Sequence, residues 1–161
     1  MGGNVMKKHI FFILIFTLVL GTSCSKSTGS TTNMTTDTWS TAITNHDEKI
    51  NFVKKYIECP TDVLDAEYHI VYHDNSGGRV PGPSDWTIAA AIKINPGDMA
   101  RWTGGMDEIS SDQVDTAWWD GLNISAWAFS GAGIYYKQPN KNSYLAVYRE
   151  DGVILKYAYM V

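Results

Sequence analysis

Two alternating runs close the sequence. Tyr144 to Arg149 and Val153 to Val161 place apolar or aromatic side chains at every second position, and Glu150-Asp151-Gly152 leaves room between them only for a tight turn. Successive side chains on a strand point to opposite faces, so this pair predicts an antiparallel hairpin. Whatever else the chain does, it has to build a sheet around that hairpin.

Upstream, residues 67 to 73 alternate in the same way, with Tyr68, Ile70 and Tyr72 on one side and His69, Val71 and His73 on the other. Trp86 to Ile94 repeats the pattern. Trp86, Ile88, Ala90, Ile92 and Ile94 share one face, while Thr87, Ala89, Ala91 and Lys93 form a second face small enough for another layer to approach closely. Residues 123 to 129 and 133 to 137 read as a single strand bent at Ser130-Gly131.

Helical spacing appears once with clarity. After the polar opening Asn45-His46-Asp47-Glu48, Ile50, Phe52, Val53, Tyr56 and Ile57 recur at steps of three and four, and Pro60 stops the run. Asn95-Pro96-Gly97-Asp98 opens a short helix through Trp102 that Gly104-Gly105 ends, and Ser111 starts another stopped by Gly121. Together these predict an α+β fold: one small domain, residues 46–161, with a mainly antiparallel sheet of about five strands. An N-terminal helix and one or two short helices between the second and third strands complete it.

The start of the chain has a different character. Met6-Lys7-Lys8-His9 precedes an apolar stretch from Ile10 to Leu20, and Gly21-Thr22-Ser23-Cys24 follows. A largely apolar stretch of eleven residues falls short of the roughly 20 needed to cross a hydrocarbon core, so residues 1–23 read as a cleaved signal peptide. The segment resembles a bacterial lipoprotein signal, in which the cysteine thiol receives diacylglycerol and becomes the first residue after cleavage. The resemblance implies lipidation, palmitate included, at Cys24, a membrane attachment through that lipid, and, from Ser25, an outer-membrane location facing the periplasm or the exterior. An ordinary secretory peptide cut near Ser23 is the competing reading.

Residues 24–45 follow as the lipidated cysteine and a tether. Twelve of the 21 residues from Ser25 to Asn45 are Ser or Thr, with the lone aromatic Trp39, a composition with too little apolar surface to offset the entropy of ordering. Its typical reach is about 25 Å.

Without the leader the chain carries 11 basic and 17 acidic residues, a net charge of −6, with the basic residues scattered among acids. Nucleic acid is therefore not expected as a partner, because a phosphate backbone rewards clustered Lys and Arg. Cys59 lacks a second cysteine once Cys24 is acylated, and its place between Ile57 and Pro60 predicts burial at a helix end.

No nucleophile elbow, phosphate-cradling loop or dinucleotide fingerprint occurs, and no cofactor or metal is expected. His69 and His73 share a spacing with helical zinc motifs. On a strand that spacing spans about 13 Å, too far for one ion whose ligands lie about 2 Å from it. Asp107, Glu108, Asp112, Asp115 and Asp120 crowd one region, which leaves a small paired-carboxylate hydrolase as a third reading; acids around short helices usually face water.

The long connection from Asp74 to Trp86 is the candidate site. Asp74, Asn75, Arg79, Ser84 and Asp85 offer hydrogen-bonding groups for a ligand, and Trp86 offers a flat apolar surface. The structural reading gives Asp74 and Asn75 an Asx-type turn and pairs Asp85 with Arg79. Trp86, Trp102, Trp118, Trp119 and Trp127, with nine tyrosines, exceed what one small core comfortably hides. The expected function is a lipid-anchored envelope protein of non-enzymatic type that binds another protein; a glycan-binding accessory protein using surface tryptophans is the alternative.

Overall fold

A computed structural model describes residues 34–76, 82 and 84–160. The leader, Cys24 and the first part of the tether lie outside the described residues. Among those described, no helix is long and apolar enough to cross a membrane.

Seven strands form one sheet in which every neighbouring pair is antiparallel. They are β1 (Met34–Trp39), β2 (Asp65–Asp74), β3 (Asp85–Lys93), β4 (Asp107–Ile109), β5 (Ile134–Lys137), β6 (Ser143–Tyr148) and β7 (Val153–Met160), in the spatial order β1-β2-β3-β7-β6-β5-β4. Two meanders, β1-β2-β3 and β4-β5-β6-β7, are thus joined only where β3 pairs with β7, from Trp86↔Met160 to Lys93↔Val153. The α-helices are α1 (His46–Val53) and α2 (Met99–Thr103).

This corrects the expected α+β domain of about five strands with a helix at its N-terminus. The fold is mostly β, and a strand precedes the helix. Both strands that the sequence concealed, β1 and β4, are the sheet's two edges. Edge strands carry little burial, so Thr35, Thr36, Asp37 and Thr38 in β1 and Asp107 and Glu108 in β4 show no apolar alternation. Among the described residues Met34–Trp39, ahead of His46, already pairs with β2 in the sheet. Residues 123 to 129 form turns, with Ile124 N–H donating to Leu122 O and Trp127 N–H to Ile124 O, so no bent strand runs through them.

Helix α1 starts where expected, Asn45 Oδ1 accepting from Glu48 N–H at 3.0 Å. It is shorter than its apolar periodicity. Beyond Val53 the chain tightens into turns, Tyr56 N–H bonding to Val53 O and Ile57 N–H to the same carbonyl, which keeps Ile57 buried but turns Tyr56 outward.

Both sheet faces are covered for part of their area. Against one face pack Ile50, Val53 and Ile57 from α1 and the turn after it, Val63, and Met99 and Trp102 from α2. Over the other face lies the segment carrying Trp118, Trp119, Leu122, Ile124 and Trp127. Ala89, Ala91 and Ala146 leave the room for that layer. The turn between β6 and β7 requires Gly152, whose φ is +65° and where a Cβ would collide with Ile94 O.

The edge at β1 is fastened by polar groups. Trp39 stacks on His69 at 3.7 Å, His69 Nε2 lies 2.8 Å from Asp37 Oδ1, and Thr35 Oγ1 lies 2.9 Å from His73 Nδ1. Past the end of β1, buried Ser40 donates to Glu67, whose other oxygen accepts from Lys49 Nζ at 2.7 Å. Burial alone would pull the Lys49 amine down. The bonds and charges of Glu67 and Asp65 outweigh it and hold the group above its ordinary value.

Candidate functional site

Cross-strand pairing arranges the helix-side face in rows. One row is Ala66, Ile92, Ile154 and Val147, all buried. The next is Tyr68, Ala90, Lys156, Leu145 and Tyr136, then Ile70, Ile88, Ala158 and Ser143, then Tyr72, Trp86 and Met160. Because α1 stops at Val53, its cover does not reach the last row, and Met160 stands 49% exposed.

A groove of about 430 Å³ results. Trp86, Ile88, Ala158 and Met160 line it from the sheet, and Tyr56 and Glu58 from the turn after α1. The opposite wall is the β5–β6 turn, which presents Gln138, Asn140, Lys141 and Asn142. That turn is held by Gln138 N–H to Ser143 O at 2.9 Å and Lys141 N–H to Gln138 O at 3.2 Å, with Asn140 in the left-handed region at φ 58°. Asparagine tolerates that geometry better than most residues. A second recess of about 290 Å³ shares Tyr56, Trp86 and Ile88 and extends the surface toward Ile70 and Tyr72.

Lys156 is the charged group on the groove floor. Its side chain is half-buried and Nζ donates to Ser143 Oγ at 3.4 Å. Among the described residues no carboxylate lies within ion-pairing distance of it. Burial pushes the amine below its ordinary 10.5; Cys59 pulls the other way, Lys141 adds to the depression and Glu58 opposes it. Cys59 itself is half-buried, its Sγ donating to Ile57 O at 3.3 Å, and burial pushes the thiol up and away from reactivity.

Of the described residues singled out in the long connection, Trp86 alone lines this groove. Asp74 Oδ1 accepts from Ser76 N–H at 2.9 Å in an Asx-type turn, and hydrogen bonding from the Ser76 side chain, then its backbone, holds the carboxyl below its usual range. Asn75 donates to Asp85 Oδ2 at 3.2 Å and accepts from Gly82 N–H, closing the base of the connection. Ser84 is half-buried. Arg79 lies outside the described residues.

The histidines, the clustered acids and the tryptophans are dispersed over the molecule. His69 and His73 serve the β1 edge. Asp107, Glu108, Asp112, Asp115 and Asp120 are exposed, and Asp115 is engaged with the Ala117 N–H. The tryptophans share no cavity: Trp102 is in the core, Trp118, Trp119 and Trp127 cover the second face, and Trp39 stacks at the edge while approaching Gly121.

No protein-family model, curated protein or solved structure matches this chain. The site therefore has to be judged by its own chemistry. Tyr56, Asn140, Asn142, Lys156 and Met160 went unmarked in the sequence. One signal was available: along β7, Ile154, Lys156, Ala158 and Met160 point the same way, and a lysine interrupts an otherwise apolar series.

Proposed function

We propose that this chain is a lipid-anchored protein of the bacterial cell envelope, exported by residues 1–23, fastened at Cys24 to the outer membrane, and acting by binding a protein partner rather than by catalysis. The observation that supports binding is the row Tyr72, Trp86 and Met160, an apolar strip left partly open on a face where the apolar residues of the other rows are buried. Apolar surface left open beside polar rim groups is the form of a contact site. The acids that suggested hydrolysis are exposed and dispersed, Asp107 and Glu108 on the edge strand β4 and Asp112, Asp115 and Asp120 along the segment after it.

A photo-crosslinking residue at Met160 tests the reading in whole cells. The expected result is a discrete crosslinked partner that disappears in the Trp86→Ala variant and is absent when the crosslinker stands at Glu150, on the far turn. Equal capture from both positions would defeat it. Cys24→Ala, followed by labelling with a palmitate analogue, tests the anchor separately: label and membrane association should both vanish.

A second reading rests on Gln138, Asn140 and Asn142 lining the same groove as Trp86, amides and an indole suited to sugar hydroxyls over a ring. Envelope polysaccharides should then shift tryptophan fluorescence in the wild type and leave Trp86→Ala unchanged.

A further inference from the structure

Lys156 occupies a position where a sheet of this kind needs no charge. Its row neighbours Ala90, Leu145 and Tyr136 are buried, as are Ile154 and Ala158 before and after it on the same face of β7. A leucine or methionine there would pack against the same strands without desolvating an ammonium group. The amine instead opens on a groove whose floor is apolar, and its hydrogen-bond partner among the described residues is a neutral hydroxyl at 3.4 Å. Lys141 stands on the neighbouring wall with its own positive charge.

We propose that the groove receives a carboxylate-bearing segment of its protein partner, the carboxylate seated against Lys156 and an adjoining apolar side chain against Trp86 and Met160. The proposal rests on the groove being the binding surface argued above. A half-buried cation that forms no ion pair among the described residues, with Glu58 reaching it only through its charge, is a directional anchor, because the incoming anion restores in one contact what desolvation removed, and Asn140 and Asn142 in the same lining offer amide donors. Glu58 on the facing wall opposes the ligand's charge. Its presence sets the direction of a second effect: removing it strengthens binding. The simpler structural role is a lysine stem that covers apolar floor while its head reaches water, and that role predicts no preference for acids.

The probes are acetyl-Ala-Ala-Leu with a free terminal carboxylate, the same peptide as its amide, and acetyl-Glu-Leu amide, each titrated into the full domain while the Trp86 indole N–H is followed by NMR. The free acid is expected to bind at least tenfold more tightly than its amide, and the Glu peptide reports whether a side-chain carboxylate serves as well as a terminal one. Lys156→Met should abolish the acid preference; Lys156→Arg should retain it. Glu58→Gln should tighten the acid about twofold and keeps the test decisive if Lys156→Met does not fold. Equal binding of acid and amide by the wild type, or an acid preference that survives in Lys156→Met, overturns the proposal. If no peptide moves the Trp86 signal while Met160 still crosslinks a partner, the carboxylate inference falls and the groove reading stands. If Met160 captures nothing that depends on Trp86, the groove reading falls first.

Discussion

Ile154 and Met160 lie on the same strand and the same sheet face, and they meet opposite fates. Ile154 is sealed under α1 and α2 with Ala66, Ile92 and Val147 around it; Met160 lies past the end of that cover beside Trp86 and Tyr72. The alternation that assigns a residue to a face is identical at both ends. What differs is the length of the element on top, so the boundary between core and site is drawn by where α1 stops rather than by the strands beneath it.

The comparison can be broken by substitution. Ile154→Ala, at the sealed end, should lose about 2–5 kcal/mol through lost transfer energy and the cavity left behind, read as a lower urea midpoint at unchanged slope. A loss comparable to a surface change would mean that the sealed end is not sealed.

Tyr68 sharpens the comparison, because it is the polar intrusion into the sealed end. Its hydroxyl is buried without a hydrogen-bond partner among the described residues, and burial, followed by the charge of Glu67 and then Tyr56, pushes its pKa up to about 12. Since an unfolded tyrosine ionises near 10, the unfolded chain gives up this proton first as pH rises. Stability should therefore decline from about pH 10 to about pH 12, by up to ~3 kcal/mol from this group. Tyr68→Phe should remove that part of the alkaline decline and, at neutral pH, match or exceed the wild type by up to ~1 kcal/mol. Denaturant melts of both proteins across pH 7 to 12 give both results.

Met160→Ala, at the open end, should change stability by less than about 0.5 kcal/mol, as for surface sites generally, while weakening the groove's ligand. A large stability loss there would show that Met160 belongs to the core after all.

The central strands were legible in the sequence because two covered faces demand apolar side chains on both, so Trp86 to Ile94 and Val153 to Val161 read as near-continuous apolar runs. The edges were not. Met34–Trp39 passes for a Ser/Thr tether and Asp107–Ile109 for an acidic turn, since an outer strand pairs through its backbone and has little to bury. Residues 123 to 129 erred in the opposite direction, their aromatics serving a layer laid over the sheet rather than a place within it. For the site, Trp86 was visible as a large ring at the end of a long connection. Tyr56 was hidden by periodicity: its spacing put it on the apolar stripe of α1, but the helix ends before reaching it and leaves the ring 44% exposed.

The position of β7 bears on how the chain comes to be folded. It is the latest strand in order of synthesis, yet it is the bridge between the two meanders, bonded to β3 on one side and β6 on the other. Until it emerges from the ribosome the sheet has no middle, and neither half can bury its inner strand. Closure of the sheet therefore rests on a pairing between strands far apart in the chain, β3 and β7.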